Sequence, residues 1–230
     1  MDNKGIVLEL QREALDNSSD IVGLLRKAKI IAYKLGLEDL TEWATKEVGG
    51  YTSTDLAETI PRYRHISGGT IEFFNTYRGY CPTYIDDAEL LKRLDSCIIY
   101  LGIPKITSYL KTEKSSIFRY TFTPDAQKIL NSISTTPCDF SYSVKYPVNC
   151  LFQILEDARN VIIDWTLLLE SNGILGIDFS FSDKEIGIAA SKKSIVNYYT
   201  TNVFLNSSNF QIQQNSTEAK QVLSISDLSK

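Results

Sequence analysis

Residues 148–172 read VNCLFQILEDARNVIIDWTLLLESN, and this stretch decides the fold. Apolar side chains recur at i, i+3, i+4 and i+7 over about six turns, the spacing that places them on one face of an α-helix. They are Leu151, Ile154, Leu155, Ala158, Val161, Ile162, Trp165, Leu168 and Leu169. Because so long an apolar stripe must be covered by other elements, the pattern predicts a helix from Val148 to Asn172 at the centre of the core.

Three shorter helices are predicted near the N-terminus. The first covers Ile6–Leu15. The second begins after Ser18-Ser19-Asp20, whose side chains can accept hydrogen bonds from free N–H groups, and ends at Gly36, which tolerates a left-handed conformation. The third covers Leu37–Val48 and stops at Gly49-Gly50. The second and third helices should therefore form an αα-hairpin.

Between Tyr51 and Tyr84 the spacing of apolar residues changes from the helical one to the shorter one of strands. Aromatic and β-branched residues surround a Gly68-Gly69 turn, which is typical of short β-strands joined by tight turns. The predicted strand residues are Arg62, Tyr63, Ile66, Ile71, Phe73, Tyr77 and Tyr80. Phe140–Tyr146 alternates in the same way. These segments predict a small antiparallel sheet.

Helices are also predicted between and after these strands. One covers about Asp87–Asp95. Thr123-Pro124 supplies the cap and first residue of a helix through Ile133. Ser182-Asp-Lys-Glu185 is a capping box, which predicts a last helix to about Val196. Ile98–Leu101 is compatible with either a strand or a buried helix, because four apolar residues show no period.

The order of elements predicts an α+β fold, a mainly helical domain around the long central helix with a small antiparallel β-sheet. We assign residues 1–199 to this domain and residues 200–230 to a polar C-terminal tail rich in Asn, Gln, Ser and Thr. The tail has too few apolar residues for its own core, so it is either disordered or paired with a sheet of the domain or of another copy. The alternating segment that would mediate oligomerisation is Phe210, Gln211, Ile212, Gln213 and Gln214.

Composition excludes several classes of protein. The 230 residues are 43% hydrophobic and carry a net charge of −4, which argues against non-specific phosphate binding as the main task. No apolar run is long enough to cross a bilayer, so we expect a cytoplasmic protein without membrane association. One histidine and four cysteines without a C-x-x-C motif predict free buried thiols and neither metal nor cofactor. The cysteines are Cys81, Cys97, Cys138 and Cys150.

Cationic and aromatic residues cluster in Arg62, Tyr63 and Arg64, and Arg78 lies in a similar Tyr-Arg-Gly-Tyr segment. On a strand, Arg62 and Arg64 would share one face and could form a fork for a phosphate or a carboxylate. Alternatively, one arginine pairs with an internal acid such as Glu47 and fixes the hairpin on the helices. The structural role is the favoured one.

Motifs for catalysis or nucleotide binding are lacking in the sequence. It has no G-x-S-x-G elbow, P-loop or Rossmann fingerprint. His65 is the sole imidazole for any nucleophile, and Asp139 is not followed by the (Asp/Glu)-x-Lys of a PD-(D/E)xK nuclease. No catalytic residue is assigned.

Three sequence elements together resemble the AbiTii family of bacterial proteins linked to abortive infection and phage defence. They are Trp43 followed by Glu47-Val-Gly-Gly-Tyr51, then Pro61-x-Tyr63-Arg64, and Arg159-x4-Asp164-Trp165. The resemblance covers about residues 5 to 200 and implies a role in an antiphage response. It also implies that Trp43, Glu47, Tyr51, Arg159, Asp164 and Trp165 are structural motif residues.

Arg159 and Asp164 lie about 140° apart around the long helix, too far to pair with each other. Because the resembled family has an arginine and an Asp-Trp at this spacing, we expect both to be structural clamps. Their partners would be the αα-hairpin or the Arg62–Arg64 strand, since buried charges are usually paired.

These observations favour a non-enzymatic interaction protein that assembles with itself or binds a partner protein of a defence system. The rivals are a toxin enzyme such as a nuclease, using Arg62, Arg64, Asp164 or Glu47, and a nucleic-acid-binding effector. A mild cationic excess between Arg62 and Arg119 gives the last only weak support. The alternatives differ in whether these side chains converge in an open cleft or are paired and buried.

Overall fold

The computed structural model describes residues 5–112, 115–134 and 139–191. The predicted assembly segment Phe210–Gln214, the thiol of Cys138 and any part of the last helix beyond Ser191 lie outside these residues.

One layer of the fold is helical. It contains α1 (Ile6–Leu15), α2 (Ile21–Lys34), α3 (Glu38–Gly49), the long α7 (Asn149–Ser171) and α8 (Asp183–Ser191). α7 contacts α1 and α2, while α2 packs along α3. The apolar faces of all five helices meet in one cluster. The predicted central helix and αα-hairpin are therefore confirmed.

Local signals set the ends of these helices as expected. The side chain of Asp20 accepts hydrogen bonds from the N–H groups of Val22 and Gly23 at the start of α2. Gly36 has a φ of 69° and ends the same helix, because a left-handed residue cannot continue it.

Three helices lie between the strands. α4 covers Ala88–Leu94 and α6 covers Pro124–Ile133, both as predicted. α5 covers Ile103–Thr112 and was not predicted. It follows the segment Ile98–Leu101, for which the sequence was compatible with either a strand or a helix.

The sheet has four antiparallel strands in the order β3-β2-β6-β5. They are β2 (Thr70–Asn75), β3 (Gly79–Pro82), β5 (Ile117–Thr121) and β6 (Ser141–Pro147). Separately, β1 (His65–Ile66) pairs with β4 (Cys97–Ile98). The α+β class and the small antiparallel sheet are confirmed, although β5 was not predicted.

One prediction for this region is wrong: Arg62–Arg64 is a turn of 3-10 helix and not a strand. After Pro61 the backbone closes on itself, with Arg64 N donating to Pro61 O, and pairing with the β4 segment begins only at Arg64 O, which accepts from Ile99 N.

The two faces of the sheet differ in chemistry. The inner face presents Ile71, Tyr142, Val144 and Tyr146 to a core that is completed from α4 and α6. The opposite face, called the outer face below, alternates with it along each strand. By the strand register it carries Thr70, Glu72, Phe74, Tyr80, Arg119, Thr121, Ser141, Ser143 and Lys145.

Candidate functional site

Two of the three sequence elements shared with the resembled family meet in one buried cluster, called the Glu47 network below. It consists of Trp43, Glu47, Tyr51, Tyr63 and Arg64. Trp43 and Glu47 are four residues apart on α3, so they lie on the same helix face. The 3-10 turn supplies Tyr63 and Arg64 from the other side.

The ion pair at the centre of the network is bidentate. Arg64 Nε lies 2.9 Å from Glu47 Oε1, and Arg64 Nη2 lies 2.6 Å from Glu47 Oε2. Both side chains are 0% exposed. Two parallel N–H···O bonds hold the planar guanidinium in one orientation, so the 3-10 turn is fixed on α3.

The remaining polar atoms of the network also have partners. Arg64 Nη1 donates to Ile99 O at 2.9 Å and to Leu101 O at 2.8 Å. The hydroxyl groups of Tyr51 and Tyr63 donate to Glu47 Oε1 at 2.9 and 2.8 Å. A buried charge that is satisfied in this way does not need a ligand to neutralise it.

Gly50 explains why Tyr51 can reach Glu47. Its φ of 94° turns the chain sharply after α3, and a Cβ there would lie only 2.8 Å from Tyr100 O. The turn also lets Tyr51 N donate to Tyr100 O at 2.8 Å. The second glycine of Glu47-Val-Gly-Gly-Tyr51 is therefore required by the backbone.

Burial and the neighbouring carboxylate determine the protonation of the tyrosines. Loss of hydration, followed by the negative charge of Glu47, raises the pKa of Tyr51 and Tyr63 well above the ordinary value. Both phenols remain protonated donors. The network is thus closed, and within the described residues its tyrosines are neither ionised nor open to a substrate.

Arg159 binds backbone carbonyl groups. Its guanidinium lies 3.4, 3.2 and 3.0 Å from the carbonyl oxygens of Ala14, Asp16 and Ser19, where α1 ends and the chain turns to α2. It reaches the α1–α2 connection and not the αα-hairpin that was expected, because free carbonyls at the end of α1 offer acceptors there.

Asp164 does not have the clamp geometry that was expected. It is exposed on α7, and within the described residues no hydrogen bond or ion pair involves its carboxylate. Reduced hydration raises its pKa. The adjacent Trp165 is 5% exposed in the helical core, as is Trp43 at 6%.

The arginine fork, which was the alternative to the favoured structural role, is not formed, and Arg64 pairs with Glu47 instead. Arg64 is buried, whereas Arg62 is exposed. Residues two positions apart share a face on a strand, but in a 3-10 helix with three residues per turn they point in different directions. Arg78 is exposed in the β2–β3 turn, a different element. The structure therefore separates the three arginines.

Sequence reasoning missed a charged cluster on the outer face of the sheet. Glu72 Oε1 lies 2.8 Å from Lys145 Nζ, and Glu72 Oε2 lies 3.2 Å from Arg119 Nε. Glu72 is only 3% exposed. An acid in the middle of the strand Thr70–Asn75 was the available signal, but its partners come from distant β5 and β6.

The described ranges contain no group of three or more His, Cys, Asp or Glu residues that could hold a metal ion. Cys81, Cys97 and Cys150 are free, partly buried thiols. Among residues 5–191, as far as they are described, no helix is long and apolar enough to span a bilayer.

The fold is that of a small α+β protein. In the Glu47 network, two of the shared sequence elements join α3 to the 3-10 turn that precedes β1. The sequence model of the AbiTii family matches residues 5–194, and the chain belongs to this family. The family name points to abortive infection, a bacterial defence against phage. No curated protein and no solved structure matches the chain.

Proposed function

We propose that the protein takes part in abortive infection by binding a partner protein or further copies of itself, and not by catalysis at its family motif. The observation that carries this proposal is the closed Glu47 network. Glu47 and Arg64 are the residues that a toxin enzyme would use, yet each is buried and paired with the other.

Catalysis by these residues would require access. A general base or an anion-binding arginine has to come within about 3 Å of a reacting group. Here the donors of Arg64 are directed at Glu47 and at two backbone carbonyls. The other acid considered, Asp164, lies on α7 without a cationic partner in the described part of the chain. This arrangement favours a scaffold that presents surfaces.

The proposal assigns assembly to the tail. Phe210–Gln214 alternates apolar and polar residues, a pattern that suits a strand at the edge of a sheet. Such a strand would satisfy its backbone N–H and C=O groups by pairing with another strand, and a second copy supplies one. The same contact could be made with a partner protein of a defence system.

The test is to remove single hydroxyl groups from the network. Tyr51→Phe deletes one hydrogen bond to Glu47 while keeping the ring, so it should lower stability by only about 1 kcal/mol. Tyr63→Phe should cost more, because the Tyr63 hydroxyl also accepts a hydrogen bond from Trp43 Nε1. A bacterial host that expresses either variant should keep full protection in a phage plaque assay.

A catalytic network predicts a different result. If Glu47 were catalytic, loss of a hydrogen bond that positions its carboxylate would matter, since a misplacement of about 1 Å can lower the rate by about 100-fold. A Tyr51→Phe variant that is folded and abundant but no longer protects would contradict the proposal. Tyr33→Phe is the matched control, because Tyr33 is 76% exposed on α2.

A further inference from the structure

The outer face of the sheet combines exposed aromatic rings with cations. Phe74 and Tyr80 are 44% and 47% exposed, and their rings meet edge to face with centroids 5.2 Å apart. Arg119 and Lys145 lie beside them on β5 and β6. The helices that pack on the sheet contribute to the inner-face core, so among the described residues no helix covers these rings.

Tyr80 and Arg119 meet across the sheet. The strand order places β2 and β6 between them, yet the guanidinium carbon of Arg119 lies 4.0 Å from the centroid of the Tyr80 ring. Glu72 and Ser143 lie on the two middle strands and are 3% and 6% exposed. The Tyr80–Arg119 contact lies across these two strands and therefore explains why Glu72 and Ser143 are buried.

Two features of the outer face are not explained by the folding of the sheet. Ser143 Oγ is buried without a hydrogen-bond partner in the described residues. In addition, the face carries one carboxylate, Glu72, against Arg119 and Lys145, with the exposed Arg78 at the adjoining turn. The outer face is thus locally cationic although the whole chain carries −4.

Single-stranded nucleic acid matches this surface. Exposed aromatic rings on an open antiparallel sheet stack unpaired bases, and neighbouring Arg or Lys side chains bind the phosphates. The exposed hydroxyl groups of Thr70, Thr121 and Ser141 on the same face can contact ribose 2′-hydroxyls, which only RNA offers.

We propose that the outer face binds single-stranded RNA, with bases stacked on Phe74 and Tyr80 and phosphates bound by Arg119, Lys145 and Arg78. This site goes beyond the proposed protein contacts and does not depend on them. Glu72 restrains the two cations in the free protein, and RNA competes with it for them.

The first arm of the test removes the rings from the full-length chain. Fluorescence anisotropy with a labelled oligouridine should show binding that Phe74→Ala with Tyr80→Ala weakens by at least about tenfold. The matched control is Phe152→Ala with Tyr33→Ala, which removes one exposed Phe and one exposed Tyr from the helical layer. It should leave the affinity unchanged.

The second arm changes affinity in the opposite direction. Glu72→Gln releases Arg119 and Lys145, so RNA should bind about three- to tenfold more tightly. The plot of log affinity against log salt should become steeper by up to about 1.4, because each extra phosphate contact on a single strand adds about 0.7. A merely structural role for Glu72 would not strengthen binding.

Circular dichroism and thermal melting establish whether each variant is folded. If Glu72→Gln does not fold, the Phe74→Ala and Tyr80→Ala variants still test the proposal. No oligouridine binding, equal loss in the control pair, or equal affinity for the matching deoxy-oligonucleotide would overturn the proposal. It would also be overturned if light scattering shows that the ring variants abolish self-association while RNA does not bind, since the face would then be a protein contact.

Discussion

Arg64 and Glu47 are each acceptable in the core only because the other is present. Transfer of a charge out of water costs several kcal/mol, and the bidentate contact with its accessory hydrogen bonds offsets that cost. At the scale of single residues, the shared family motif therefore describes a folding constraint. Arg62, two positions earlier, is exposed and offers a natural comparison.

Arg64→Gln should destabilise the protein by about 3–5 kcal/mol, because it leaves the Glu47 carboxylate buried without its cation. Arg62→Gln is the matched control and should change the unfolding free energy by less than about 0.5 kcal/mol, as is usual for surface sites. Urea denaturation measures both. If the two variants are equally stable and only Arg64→Gln fails to protect against phage, Arg64 is functional and the structural interpretation is wrong.

At the scale of elements, α7 organises the helical layer. Trp165 is 5% exposed on its apolar face, and its Nε1 has no acceptor within the described residues. The indole contributes through packing and not through a hydrogen bond. Arg159, on the same helix, caps the end of α1 through carbonyl contacts.

Trp165→Ala should lower the unfolding free energy by about 3–5 kcal/mol, the usual cost of truncating a large core aromatic side chain. Trp165→Phe should cost less, since it retains a ring and removes the N–H group that lacks an acceptor. Tyr33→Ala, which removes an exposed ring from α2, is the control for loss of a ring at the surface. A Trp165→Ala change below about 1 kcal/mol in a denaturant melt would contradict a central role of α7 in the core.

The capping box of α8 connects that helix to the end of α7. Glu185 accepts hydrogen bonds from Leu175 N and Gly176 N at 2.9 Å each, and from Ser182 N and Oγ at 2.8 Å each. Partial burial alone would raise its pKa, but these four donors lower the pKa to about 2. The ionised carboxylate is therefore the form that the fold stabilises.

Because the folded pKa of Glu185 lies below the ordinary 4.5, its contribution to stability is complete above pH 4.5 and is lost as the pH falls towards about 2. Glu185→Gln should lower the Tm at neutral pH. The Tm difference from the original chain should shrink through this window, which thermal melts at several pH values measure. A difference that does not depend on pH would show that ionisation of Glu185 is unimportant.

At the scale of the whole molecule, the helical layer and the sheet have different surfaces. The helices bury their apolar faces in one cluster around α7, whereas the sheet covers only its inner face within the described residues. The proposed RNA site uses the outer face, and the proposed assembly uses residues of the tail. The two activities are therefore separable by substitution.

The full-length chain should form a larger particle than a chain ending at Tyr199, because a strand at Phe210–Gln214 would pair between copies. Light scattering at several protein concentrations measures this difference. Replacing Phe210 and Ile212 with Ser in the full-length chain is a second test that keeps the length constant. Equal stoichiometry for all three chains would place any assembly surface elsewhere.

Helices were predictable from sequence wherever short-range physics determines them. Apolar spacing, the Asp20 cap and Gly36 act over a few residues, so they indicate α1, α2 and α7 without knowledge of the rest of the chain. The α+β class and the suspected AbiTii family are confirmed for the same reason, since both depend on patterns along the chain.

Tertiary structure alone decided which charged residues meet. Arg64 pairs with Glu47 across 17 positions, and Arg119 reaches Glu72 across 47. The alternation assumed for Arg62 and Arg64 failed because the chain closes into a 3-10 turn after Pro61, and pairing with the β4 segment begins only at the carbonyl of Arg64. Periodicity states which side of an element is polar, but the partner of a buried charge depends on packing between elements that are distant in the sequence.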